Sequence, residues 1–315
     1  VLFRSSRVVG DLDYASQTLN FGLTGWDGPK TTLRAGGSVP IDLALHAVEQ
    51  RSVGGQMDVD IVADSLDAAI ALSVVPTLED VLGVVSAEIH LGGTTADPAP
   101  SGTVMLRDGA WSLDAIGVRH TGVNGSLGLN ADRSVDVSLS TTGTGSSNVT
   151  GTIVLEPFIN PTIDLRFDFE RFRAVGRPDI EGWITGAFDL TGRYDRPLAQ
   201  GTLTVDQGTI YVDELQRVAG VVDLSDPFLF EGGIAVDTTA LVARPALAGL
   251  RNPFFDNLRV NVDLIVPSDT WLRSTKTNVE MSGELIVGFD RPAGDFVLVG
   301  ELQALRGSHL VLNRT

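Results

Sequence analysis

The sequence predicts an all-β protein. The expected form is one elongated, curved, repetitive antiparallel sheet, open along one side as a groove with an apolar lumen, with a few short helices. Three observations predict it. Apolar and polar residues alternate with a period of two over long stretches, which is the pattern of strands and not of helices. Glycine is abundant, at 35 residues, while aromatics stand at 6%, a composition that suits many strands joined by tight turns. One pattern also recurs at a fixed interval: Gly102, Gly201 and Gly300 are each 99 residues apart. A fixed period in a chain of this length indicates an array of repeated units.

The elements follow in order. Residues 1–45 read as strands: Gly10-Asp-Leu-Asp-Tyr14, then a run in which Leu19, Phe21 and Leu23 alternate with polar residues, then a run from Gly37. Residues 57–61 alternate again. The segment 64–81 is the exception. Ser65-Leu-Asp-Ala-Ala-Ile-Ala-Leu72 is rich in helix formers, and Thr77-Leu-Glu-Asp-Val-Leu-Gly83 follows Pro76 and stops at a glycine. These signals predict one or two short helices there. A helical turn is expected over 170–176, and a weaker helix over 239–250, interrupted by Pro245. Ile163, Leu165, Phe167 and Phe169 alternate with charges, as do Leu258, Val260, Val262, Leu264 and Val266. Clean alternation of this kind belongs to an antiparallel sheet with one wet face.

The repeated pattern is a strand, a turn carrying proline, and a second strand bounded by two glycines seven residues apart. It runs from Ala87 through Pro98 to Gly102 and Gly109, from Gly186 through Pro197 to Gly201 and Gly208, and from Val279 through Pro292 to Gly300 and Gly307. The three anchor glycines are expected at equivalent places, at strand starts just after the turn. All of 1–315 reads as one continuous repetitive groove. The chain starts at Val1 and ends in a strand-like run, and is expected to be a fragment of a longer protein whose membrane anchor lies elsewhere.

Composition narrows function. A net charge of −17 and a pI near 4.5 exclude a nucleic-acid partner of ordinary kind, since phosphate binding needs a basic surface. They also argue against a polybasic membrane patch. Without cysteine there is neither a disulfide framework nor a thiolate metal site. No P-loop, nucleophile elbow or dinucleotide-binding glycine motif occurs. His46, His90, His120 and His309 show no metal-ligand spacing, and each is expected to face solvent from a strand. Asp58, Asp60 and Asp64 lack the loop glycine that a calcium loop needs. The expectation is a protein that is not an enzyme, with no cofactor and no metal.

The series of strand, proline turn and glycine-bounded strand resembles the TamB C-terminal domain family, part of the AsmA-like group of bridge-type lipid transfer proteins. The resemblance covers most of the chain and is strongest over about 66–309. It implies a periplasmic location in a Gram-negative bacterium, an inner-membrane anchor, phospholipid as cargo, and an Omp85-type outer-membrane barrel of the TamA kind as partner.

Hydrophobic parity alone gives the expected groove lining. It comprises Ile163, Leu165 and Phe167; Phe188 and Leu190; Leu203 and Val205; Val260, Val262 and Leu264; and Leu285, Val287 and Phe289. Asp189, Asp164, Arg166, Asp168, Arg259, Asn261, Asp263 and Glu284 take the opposite face, where Ile265 and Ile286 are out of pattern. A sheet of about twenty strands has too few helices to cover its apolar face, so it must curl on itself. The curled sheet is either an apolar trough or a filled structural solenoid; for a trough the resemblance implies a conduit for phospholipid between the inner and outer membranes, or a module that assembles outer-membrane proteins such as autotransporters.

Overall fold

A computed structural model describes residues 7–44, 51, 53–69, 79–113, 116–143, 145–214, 253–275, 277–305 and 309–310. The chain is nearly all β. Its strands are β1 (Arg7–Ala15), β2 (Thr18–Asp27), β3 (Lys30–Pro40), β4 (Asp58–Asp67), β5 (Glu79–Gly93), β6 (Pro98–Leu113), β7 (Val118–Leu129) and β8 (Ser134–Gly143), followed by β9 (Gly145–Val154), β10 (Thr162–Gly176), β11 (Ile180–Arg193), β12 (Arg196–Tyr211), β13 (Arg259–Arg273), β14 (Thr277–Asp290), β15 (Asp295–Ala304) and β16 (His309–Leu310). They form one sheet whose hydrogen-bonded order is the chain order from β1 to β15, with β16 beside β14. The order does not return on itself, so the sheet is open. Helix among the described residues is confined to 212–214 and the single turn Pro253–Asp256.

Short turns make antiparallel neighbours: two residues join β1 to β2 and β11 to β12. The pair of β12 with β13 departs from the expected antiparallel sheet. β12 and β13 run parallel, with Leu203 opposite Leu264 and Gly201 opposite Val262. A parallel pair needs a long crossover, and 212–258 supplies the length. The expected helix over 239–250 falls within that stretch, outside the described residues.

The described parts of two other expected helical stretches are largely strand. Ser65–Asp67 ends β4 and Glu79–Gly93 is β5, with a 3₁₀ pair at 68–69; the rest of the expected helix, residues 70–78, lies outside the described set. Pairing across the sheet overrides local propensity, with Leu66 opposite Val85 and Asp67 opposite Val84. The expected turn at 170–176 is the end of β10. Arg171 adopts a φ of 45°, and its N–H donates to Thr185 Oγ1 at 2.9 Å.

The anchor glycines lie inside strands and not at their starts. Gly102 is the fifth residue of β6, and Gly201 and Gly300 are the sixth of β12 and β15. The prolines mark the starts: Pro98 is the first residue of β6, Pro197 the second of β12, and Pro292 sits in the turn before β15. The glycines are nevertheless equivalent. A Cβ at each would meet a carbonyl of the preceding strand, that of Glu88, Ala187 or Glu284 respectively. At Gly300 the φ of +151° is a second reason for glycine, because side-chain-bearing residues rarely adopt it.

The chain divides into two compact units: Val1–Trp111 with Thr121–Thr141 and Val149–Leu165, and Ser112–His120 with Thr142–Asn148 and Arg166–Thr315. In the first, Val59, Ala63, Ala87, Val123, Val135, Val137 and Ile163 are buried. In the second, the buried apolar set is Val118, Ala199, Val262 and Val266.

Candidate functional site

Within the second unit the registers align apolar side chains in rows across five strands. One row runs Gly186, Leu203, Leu264, Leu285, Gly300; a second Phe188, Gly201, Val262, Val287, Leu298; a third Leu190, Ala199, Val260, Phe289, Phe296. Residues directly opposite on neighbouring strands share a face, and so do residues two apart on one strand. The rows therefore make one continuous apolar surface. Glycine interrupts them: Gly201 is where the Phe188 side chain crosses, its absent Cβ only 2.6 Å from that of Phe188.

The surface is only partly covered. Of the expected lining, Ile163 and Val262 are buried, at 6% and 8% exposure. Leu165, Phe167, Phe188, Leu190, Leu203, Val205, Val260, Leu264, Leu285, Val287 and Phe289 are half-buried. Ile163 and Leu165 belong to the first unit and the others to the second. Among the described residues no leucine, phenylalanine, methionine, tryptophan or tyrosine is buried; the buried apolar residues are alanines, valines and Ile163, and the largest fully buried side chain is Pro197. A sheet face sealed beneath a second layer buries its leucines and phenylalanines first. Here the small residues are buried and the large ones remain accessible.

The opposite face carries the charges. Arg166 bonds Asp168 at 3.1 Å and Asp189 at 3.2 Å, and Arg259 bonds Asp290 at 3.2 Å. Asp164, Arg166, Arg259, Asn261, Asp263 and Glu284 are exposed, Asp168 and Asp189 half-buried. Ile286 also stands on this face, 48% exposed, while Ile265 is half-buried.

Aromatic rings gather beside the rows. Phe167 stacks on Phe188 at 4.6 Å, Phe169 lies 5.7 Å from Phe188 and 5.2 Å from Phe172, and His120 stacks on Phe172 at 4.7 Å with the planes 3° apart. His120 was expected to face solvent. It is 3% exposed, and burial lowers its pKa from the usual 6.5. The signal was present in the sequence: Val118 and His120 share one parity, with Arg119 on the other. Of the other histidines, His90 is exposed, while His46 and the His309 side chain lie outside what is described.

The structure also joins groups far apart in sequence. His90 Nδ1 lies 3.0 Å from Asp60 Oδ1 and 3.7 Å from Asp58 Oδ1. Spacing along the chain could not reveal this, because strand pairing makes the contact.

Among the described residues no helix is long and apolar enough to cross a membrane. Neither a curated protein nor a solved structure matches the chain. The TamB C-terminal domain family matches residues 132–315, more than half of the sequence and most of the second unit. That family is a non-enzymatic module of outer-membrane protein assembly or lipid transport, works with a TamA-like partner, and spans the periplasm of Gram-negative bacteria. An open, nearly all-β sheet with this match over its C-terminal half makes the chain a member of the TamB C-terminal domain family.

Proposed function

We propose that the chain is a segment of a conduit for phospholipid between the inner and outer membranes, with acyl chains held on the apolar rows and headgroups in water. The observation that carries this reading is the half-buried state of the large apolar side chains on β11 to β14. Each methylene removed from water is worth about 0.8 kcal/mol, so a sixteen-carbon chain costs roughly 12 kcal/mol to expose fully. A surface that offers the same apolar surroundings from strand to strand removes most of that cost, in steps of about 4.8 Å. The cargo needs no catalytic group or cofactor on the protein. The inner-membrane anchor would lie outside this segment, and an Omp85-type barrel would receive the lipid at the far end.

A photocrosslinking residue placed at Leu264 or Val287 should capture phospholipid in cells, and one at Asp263 should not. Val287→Arg should abolish capture at Leu264 with at most a few degrees' change in thermal unfolding. A hydrated cation on the track removes apolar surroundings over a few methylenes, a barrier of roughly 2–4 kcal/mol. Absence of lipid at every inward position would overturn the conduit.

A second reading has its own observation. Among the described strands β15 is the last in the hydrogen-bonded order, and Val297, Leu298, Val299 and Leu302 on it are 48%, 39%, 56% and 40% exposed. Such an edge can add a strand from a client outer-membrane protein. Crosslinks from Val297 and Val299 to nascent barrel proteins, with none to lipid from β13 and β14, would favour assembly over transport.

A further inference from the structure

Asp58 and Asp60 stand two residues apart on β4 and so share one face of the sheet. Asp60 is directly opposite His90 on β5. The imidazole Nδ1 is 3.0 Å from Asp60 Oδ1 and 3.7 Å from Asp58 Oδ1, and one ligand atom from each residue lies within 4.8 Å of the other two. On the other side of Asp60 the neighbouring strand offers Gly36, which in turn pairs with Gly22. With no side chain at either glycine, nothing from β2 or β3 at these two positions covers the carboxylate. All three side chains are exposed.

We propose that Asp58, Asp60 and His90 form a binding site for a divalent transition-metal ion of the zinc class, held by one imidazole nitrogen and two carboxylate oxygens with water completing the shell. Zinc bonds to nitrogen and oxygen are about 2.0–2.2 Å. Tetrahedral donors on such an ion are therefore about 3.3 Å apart, and the observed separations of 3.0 and 3.7 Å lie on either side of that value. One imidazolium can neutralise only one of the two carboxylates beside it, whereas a dication neutralises both. The imidazole ligand disfavours calcium and magnesium, which take oxygen ligands. The bound ion would tie the start of β4 to the end of β5. It would act there as a clip on a ladder that slips register between Ala63 and Leu66.

The test uses the chain without a histidine tag, stripped of metal. Zinc should bind with one-to-one stoichiometry and raise the melting temperature. Cobalt(II) in its place should give the visible absorption of a nitrogen- and oxygen-ligated ion. His90→Ala, Asp58→Asn and Asp60→Asn should each weaken zinc binding at least tenfold and remove the melting shift. Their exposed positions leave the metal-free fold intact, which metal-free melting and circular dichroism check. A hundredfold excess of calcium should not displace zinc. The proposal fails if zinc does not bind, or if uptake and melting shift persist in His90→Ala, which would assign the metal to other groups and leave these three as a surface ion pair.

Discussion

The two units fill their sheets differently. In the first, valines and alanines reach burial: Val59 at 4%, Ala63 at 5%, Val123 at 6% and Val137 at 7% exposure. In the second, Val118, Ala199, Val262 and Val266 are the buried valines and alanines among the described residues, and the leucines and phenylalanines of its rows on β11 to β14 stay half-buried. Size alone would give the opposite order, since the larger side chain gains more from leaving water. The difference lies in packing, not hydrophobicity. Among the described residues nine small or β-branched apolar side chains are buried in the first unit, against four in the second. The second unit's rows alternate large residues with Gly186, Gly201, Ala199 and Gly300, which leaves ridges and gaps. A surface of that kind is suited to a mobile apolar guest, and the larger buried set of the first unit is suited to holding shape.

The largest expected effect separates the units by placing a charge in each. Val137→Asp in the first unit puts an unpaired carboxylate in a buried site, at an expected cost of about 3–5 kcal/mol. Val287→Arg in the second leaves its guanidinium able to reach water along its own stem, and should cost about 1 kcal/mol or less. Denaturant melts of the two variants beside the parent chain measure this. Equal losses would mean that the second unit is as sealed as the first. Val262 is the informative intermediate: at 8% exposure it belongs to the lining rows but is packed like the first unit, and Val262→Asp should behave like Val137→Asp.

A smaller effect concerns glycine. Gly300→Ala sets a Cβ against the Glu284 carbonyl at a φ of +151°, a strained conformation that costs about 1–3 kcal/mol. Gly128→Ala in the first unit meets only Asp136 Cβ, at 3.8 Å and without a positive φ, and should be neutral within about 0.5 kcal/mol. If both are neutral, the anchor glycines are not structural, and the 99-residue spacing of Gly102, Gly201 and Gly300 needs another cause.

The strands were legible wherever alternation ran unbroken, as in β10 up to Phe169 and through β13 and β14. They were misread where a bulge breaks the period. At Arg171 the backbone takes a positive φ, so Phe169 and Phe172, three apart, come within 5.2 Å of each other. A three-residue spacing of apolar groups is a helical signature, and here a kinked strand mimics it. Ser65 does the same on β4, with a φ of 65° beside the slip between Ala63 and Leu66. The parallel pairing of β12 with β13 left no mark on either strand, because direction is set by the connection. The apolar rows were legible as parity within each strand, but the register that aligns them comes from pairing. His90 and Asp60, thirty residues apart in sequence, meet only through that register.

The smallest expected effect is a pH dependence located in the second unit. His120 is buried against Phe172, and burial holds its pKa below the usual 6.5, because a charged imidazolium would lose its hydration there. The folded chain therefore binds a proton at His120 less readily than the unfolded chain does. Above pH 6.5 neither state is protonated and the histidine contributes no pH dependence. As pH falls below 6.5 the unfolded state takes up the proton first, so stability declines, by at most about 1.4 kcal/mol per pH unit for a single group. The decline ends once the pH has passed below the folded pKa. Carboxylates begin to protonate near pH 5 and below, so from 6.5 to about 5 the titrating side chains are the histidines, and comparison with a His120 variant isolates this one. Melting temperature should fall across that interval in the parent chain and fall less in His120→Phe, which keeps a ring against Phe172 and cannot titrate. NMR titration of the His120 ring checks the cause independently. A midpoint at or above 6.5 would mean that the imidazole reaches water or a carboxylate on the acid side, and that this part of the second unit is as open as the rows beside it.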